Sequence, residues 1–140
     1  MKKTYQGSCH CGAIKFEADL DLSQGTTRCN CRFCSKARFW MAFAQDGDFR
    51  LLQGADMLTD YQHTPSSKPE PFLHLLFCNR CGMRAFSRGG VMPGATGPFH
   101  AINIASLDNA TDAELAAAPI KYADGRHDDW PSTPAETRHL

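Results

Sequence analysis

The chain has no surplus of charge of either sign: 15 lysines and arginines are balanced by 15 aspartates and glutamates. Proteins that hold nucleic acid or an anionic membrane by general electrostatics carry a basic excess, so neither partner is expected. Long apolar runs are missing as well. Nothing approaches the roughly 18 residues of a membrane span, and the lysines of MKKTYQGSCH are followed by no apolar stretch of the kind a signal peptide needs. The stretch DDWPSTPAETRHL carries no lipidation or retention signature. There are no internal repeats and no low-complexity blocks. These absences leave a soluble cytoplasmic protein as the expectation. At 140 residues one domain is expected over 1–140, able to bury roughly two-thirds of its unfolded surface.

What is present reads as short strands. AIKFEA (13–18) alternates Ile14 and Phe16 with Lys15 and Glu17, the period of a half-buried strand. RFWMAFA (38–44), FLHLLFC (72–78) and FHAINIASL (99–107) are further runs of strand length. Breakers separate them at Gln24 and Gly25, at Asp46 and Gly47, across 65–71, and in SRGGVMPGATGP (87–98), which reads as a long flexible loop. One helix stands out in ATDAELAAAP (110–119): Thr111 can cap it, Glu114 completes a capping box and Pro119 ends it. CRFCSKAR can make a helical turn. The fold class expected is mainly β, with short antiparallel sheets and a short late helix. The core spans about 4–108, and the helix and a polar tail occupy 109–140, with Trp130 as an anchor for the tail.

Seven cysteines are many for such a chain, and an odd number suits a secreted disulfide framework poorly. In a reducing compartment clustered cysteines more often bind metal or do chemistry. FCNRCG supplies Cys78 and Cys81, a two-residue spacing followed by a glycine that can close a tight turn. SCHCGA supplies Cys9 and Cys11, again followed by glycine, and completes a set of four. Four thiolates saturate a tetrahedral structural zinc. Cys29, Cys31 and Cys34 remain, in RCNCRFC. Three protein ligands with one open position is the pattern of a catalytic zinc, and the soft ligand best suited to that opening is an external thiolate. Other readings of the triplet stay open. His10, His63, His74 or His100 could supply a fourth ligand, and an iron–sulfur cluster could use the same thiolates; Cys9, Cys11, Cys78 and Cys81, for their part, could be buried thiols that hold no metal. Arg28, Arg32, Lys36 and Arg38 surround the triplet and could hold carboxylates. His100 and Asn103 could reach it from the last strand, and DGRHDDW (124–130) from the tail.

Taken in order, GSCHCGA, CNCRFCSK, FCNRCG and HAINIASLD resemble the glutathione-dependent formaldehyde-activating enzyme family over roughly residues 5–108. The resemblance implies a β-tent fold and two zinc ions. It implies Cys9, Cys11, Cys78 and Cys81 as ligands of a structural site and Cys29, Cys31 and Cys34 as the catalytic, metal-binding set. It implies carbon–sulfur lyase chemistry, in which a small thiol such as glutathione and an aldehyde such as formaldehyde are the partners and S-hydroxymethylglutathione the adduct. A non-catalytic zinc-stabilised binding module is the alternative use of such a fold. The chain departs from the family at Asn30, where a histidine is usual, and at the bulky Arg38, Phe39 and Trp40.

Overall fold

The computed structural model describes residues 1–65, 68 and 72–140. Residues 66, 67 and 69–71 of the break expected at 65–71 lie outside the described residues. The architecture is mainly β, with ten strands in two sheets and two short helices among the described residues. The smaller sheet orders β1 (Lys3–Ser8), β2 (Lys15–Leu20) and β5 (Phe49–Gln53) as β1-β2-β5. The larger contains β3 (Thr26–Cys29), β4 (Trp40–Gln45), β6 (Leu58–His63), β7 (Leu73–Cys78), β8 (Phe86–Val91), β9 (Pro98–Asn103) and β10 (Ile120–Ala123). Its order is β10-β3-β4-β9-β8-β7-β6. Pairings are antiparallel, as expected, except that β10 lies parallel to β3. No helix among the described residues is long and apolar enough to cross a membrane.

The main core draws on both sheets. In β2 the alternation buries Phe16, Ala18 and Leu20 on one face. Phe16 stacks on Phe49 of β5 at 5.7 Å between centroids and meets Phe86 of β8 edge-on at 5.6 Å. Ile14, Ile102 and Ile104 are fully buried in the same cluster. Each such side chain contributes about 1.5–3 kcal/mol on leaving water, so this cluster is the main source of cohesion that the sequence can offer apart from any metal.

The late helix forms as expected. It is α2 (Asp112–Ala117), with the Thr111 hydroxyl accepting from the Glu114 N–H and the Glu114 carboxylate accepting from the Thr111 N–H. CRFCSKAR does form a helix, α1 (Arg32–Ala37).

Two expectations need correction. Residues 87–98 are not one long loop: 86–91 and 98–103 pair as the β8–β9 hairpin. Gly89 and Gly90 there serve packing, not flexibility. A Cβ on Gly89 would lie 2.1 Å from Phe99 Cζ, and one on Gly90 would lie 2.9 Å from Phe72 Cδ2, so aromatic rings fill the space that side chains would need. The strand expected over 99–107 also stops early, at Asn103. There the Asn103 carboxamide oxygen accepts from the Ala105 N–H at 3.2 Å and starts a short 3-10 turn.

Candidate metal centre

The fold gathers the cysteines into two groups, Cys9 with Cys11, Cys78 and Cys81, and Cys29 with Cys31 and Cys34. Within each group all sulfurs lie within 4.8 Å of one another, and all seven thiols are free of disulfides. Either group could hold a metal ion.

The first group is built from two similar turns. β1 runs out at Ser8, and the Gly12 N–H donates to the Cys9 carbonyl at 3.0 Å. β7 ends on Cys78, and the Gly82 N–H donates to the Cys78 carbonyl at 2.8 Å. Gly12 and Gly82 have φ of 77° and 74°, the left-handed region where glycine carries no Cβ penalty. The sulfurs then meet, with Cys9 to Cys11 at 3.6 Å and Cys11 to Cys78 at 3.7 Å. Ligands about 2.3 Å from a central ion at tetrahedral angles stand about 3.8 Å apart, so the donor set fits a tetrahedral thiolate cage as it stands. Backbone amides already favour negative sulfur here. The Ile14 N–H donates to Cys9 Sγ at 3.3 Å, and the N–H groups of Cys11 and Met83 hold the Cys81 thiol down to about 6 against burial.

The second group is assembled by three local devices. β3 carries Cys29 into the interior beside Phe39, Met41, Ala101 and Ala123. Cys31 is the N-cap of α1, its sulfur accepting from the Cys34 N–H at 3.3 Å, so a thiol takes the place usually filled by serine or aspartate. The Cys31 N–H in turn donates to Cys29 Sγ at 3.3 Å. Thiol hydrogen bonds from Cys29 and Cys34, together with the Cys34 and Phe33 N–H groups, push Cys31 down, whereas Cys34 is pushed up because its proton is shared with its two neighbours. Among the described residues no His, Cys, Asp or Glu adds a fourth ligand atom to this group.

Asn30 lies between two of these cysteines and is buried. Its backbone N–H donates to Ala123 at 3.1 Å, its Nδ2 donates to Asp124 Oδ1 at 2.7 Å, and its Oδ1 accepts from the Arg126 N–H at 2.9 Å. His127 Nδ1 lies 2.9 Å from Asp124 Oδ2, and the bonds from Asn30 and His127 lower the Asp124 carboxyl. The tail is thereby fastened to the turn that carries the cysteines. Gly125 packs so closely that a Cβ there would lie 2.6 Å from both Cys29 Sγ and Trp130 Cη2. Gly125→Ala is therefore expected to displace Cys29 or the indole. Metal affinity at the triplet should fall by about 10–100-fold while the four-cysteine group keeps its metal, as competition with a chromophoric chelator would measure.

A further contact links the two groups. The Arg84 guanidinium lies over the rings of Phe33 in α1 and Phe77 in β7, at 4.9 and 5.0 Å, and donates to the Leu75 carbonyl at 2.7 Å. Sequence reading does not find this arginine, because its partners are non-local. Nor does it settle the role of 124–130, which the structure sets against the triplet. His100 and Asn103 do not join the cysteines. His100 stacks on Phe49 at 4.1 Å, and Asn103 donates to the Arg84 carbonyl at 2.9 Å. Of the four basic residues expected nearby, Arg28 and Arg38 line a small cavity beside Cys29 and Cys34; Arg32 and Lys36 are exposed side chains outside it.

Fold and site together define a small β-rich protein with two cysteine groups able to hold metal. The chain belongs to the glutathione-dependent formaldehyde-activating enzyme family, whose profile matches residues 4–122. It is similar to a Halomonas elongata protein whose name assigns it, provisionally, to the same enzymes. That similarity is 28% identity over 118 residues, 81% of this chain and 69% of the relative. A crystal structure of a Rhodobacter sphaeroides protein is similar at a TM-score of 0.64 and 27% identity, covering 83% of this chain and 99% of the other.

Proposed function

We propose that the chain is a single zinc-binding domain that forms or cleaves an S-hydroxymethyl adduct between a small thiol of the glutathione class and an aldehyde, a carbon–sulfur lyase reaction. In this reading Cys9, Cys11, Cys78 and Cys81 hold a closed structural zinc, and Cys29, Cys31 and Cys34 hold a second zinc that has one place left for the thiol. The observation that carries the reading is the three-sulfur group to which no fourth protein ligand atom is added among the described residues. A bound zinc there supplies the Lewis acidity that keeps an incoming thiol deprotonated.

The chain's own residues do the rest. Cys31, as helix cap, and Cys29, at the end of β3 with its sulfur close to Gly125, fix the sulfurs before any ligand arrives, so little reorganisation is left for the bound state. Phe39 and Ala101, both buried beside Cys29, exclude water from the inner side. In the addition direction a bond forms between thiol sulfur and carbonyl carbon. The carbonyl π pair moves onto oxygen, and that oxygen gains a proton in place of the one lost from sulfur. The reverse breaks the carbon–sulfur bond and returns the proton to sulfur.

Metal analysis of the purified protein tests the reading together with a thiol titration. Two ions per chain are expected, one for each cysteine group. The cobalt-substituted protein should gain sulfur-to-metal charge-transfer absorption when glutathione is added, and exchange of formaldehyde into S-hydroxymethylglutathione should exceed the uncatalysed rate in NMR. One ion per chain with no spectral response to thiol would leave the non-catalytic zinc module as the better account.

A further inference from the structure

Three polar groups line the cavity beside Cys29 and Cys34, and none of them meets a carboxylate among the described residues. Arg28 and Arg38 both line it. Among the described residues neither makes an ion pair with an aspartate or glutamate. Among the described residues the Arg28 guanidinium meets the face of Trp40, at 5.2 Å. The hydroxyl of Ser35, also in the lining, is buried with no hydrogen-bond partner among the described residues, and buried hydroxyls ordinarily have one. Two guanidinium groups without a carboxylate partner, and a hydroxyl free to donate, form a surface suited to a carboxylate.

The same cavity has a volume of only about 10 Å³, about the room one water needs. What closes it is the chain's own tail. Leu140 is part of the lining, and the Arg38 guanidinium donates to the His139 carbonyl at 2.5 Å. A peptide-sized thiol cannot reach Cys29 and Cys34 from this side while residues 139 and 140 stay where they are. A neutral carbonyl is also a weaker partner for Arg38 than a carboxylate would be.

We propose that Arg28, Ser35 and Arg38 form the carboxylate-binding side of the three-cysteine cavity, and that residues 139 and 140 keep it closed until an anionic thiol displaces them. The proposal rests on the reading of the triplet as a thiol site. On displacement Arg38 exchanges the His139 carbonyl for the ligand's carboxylate, and no covalent step is involved. Specificity follows: thiols that carry a carboxylate are favoured over neutral or cationic ones of the same size.

The test uses the full cobalt-loaded chain, with glutathione and with cysteamine, a thiol that lacks a carboxylate. Deleting residues 138–140 should tighten both thiols by about tenfold, the gain expected if the closed form outweighs the open one by that ratio. It should also speed metal transfer from the triplet to a chromophoric chelator, a readout that needs no thiol. Arg38→Gly removes the guanidinium at a residue whose φ is 54°, where glycine is at ease. It should lower the preference for glutathione over cysteamine by about tenfold, and Ser35→Ala should lower it in the same direction. Unchanged thiol affinities and unchanged chelator rates in the deletion would overturn the closure. An unchanged preference in both point variants would overturn the carboxylate side. If thiol binds intact and shortened chains equally, this inference fails and the thiol site stands. If neither chain takes up thiol although metal is present, both fail.

Discussion

Replacing Cys81 with serine is expected to leave no cooperatively folded domain at room temperature. The expectation follows from what the four-cysteine group joins. Cys9 and Cys11 follow β1 at the edge of the smaller sheet, whereas Cys78 ends β7 in the larger one and Cys81 follows it. An ion held by all four sulfurs therefore ties the two sheets directly, besides the hydrocarbon packed between them. Structural zinc contributes apparent binding free energies of about 10–16 kcal/mol in small domains, comparable with or larger than the roughly 5–15 kcal/mol by which whole domains are stable. Serine is nearly isosteric with cysteine, so packing at this half-buried position hardly changes and the loss is that of a ligand. The measurement is far-UV circular dichroism against temperature, with the wild type stripped by a strong chelator as a parallel sample. Loss of the sigmoidal transition in both is the expected result. A Cys81→Ser protein that melts like the wild type would remove this group from the account of the fold.

Which parts of this arrangement are legible in the sequence follows from the range of the contacts involved. Cys31 caps a helix that carries Cys34 in its first turn, and Gly12 and Gly82 directly follow the cysteines whose turns they close. Spacing alone carries such local geometry, so the partition into four and three is readable. The helix over α2 is readable for the same reason, since Thr111 and Glu114 satisfy each other within one turn. The hold of Asn30 on Asp124 and Arg126 spans 94 and 96 positions, and no local pattern encodes it. Gly125 is likewise silent in sequence, because its importance comes from Cys29 and Trp130 meeting at one point. Gly89 and Gly90 mislead in the opposite direction. They read as a loop because the rings of Phe99 and Phe72 that occupy their side-chain space belong to other segments. The alternation in β9 was readable as a period but not as a destination. His100 was a candidate for the triplet, yet it lies on Phe49 and Phe86, whereas its neighbour Ala101 packs with Cys29. One step along a strand changes the face, and only the partner strands decide which face meets the metal group.

The second large effect separates chemistry from folding. Cys31→Ser is expected to yield a folded protein that retains one metal ion and loses the proposed adduct-forming activity by at least about a hundredfold in kcat/KM. Cys31 is the right position for this separation. Cys29 is buried with its sulfur close to Gly125 of the tail, so altering it disturbs the tail as well. Cys34 lies within α1 and also lines the cavity. Cys31 is half-buried and caps the helix through its sulfur. Serine at an N-cap is among the most favourable residues, so the substitution keeps the bond to the Cys34 N–H while exchanging a soft thiolate for a hydroxyl that binds such an ion poorly. The circular dichroism spectrum should match that of the wild type, and metal analysis should fall from two ions to one. Chelator treatment of the variant should then release the remaining ion together with the fold, which links the two experiments: the ion that survives Cys31→Ser is the one whose loss mimics Cys81→Ser. If Cys31→Ser keeps both ions and its activity, the three-sulfur group has no part in the reaction, and the catalytic reading of this chain falls with it.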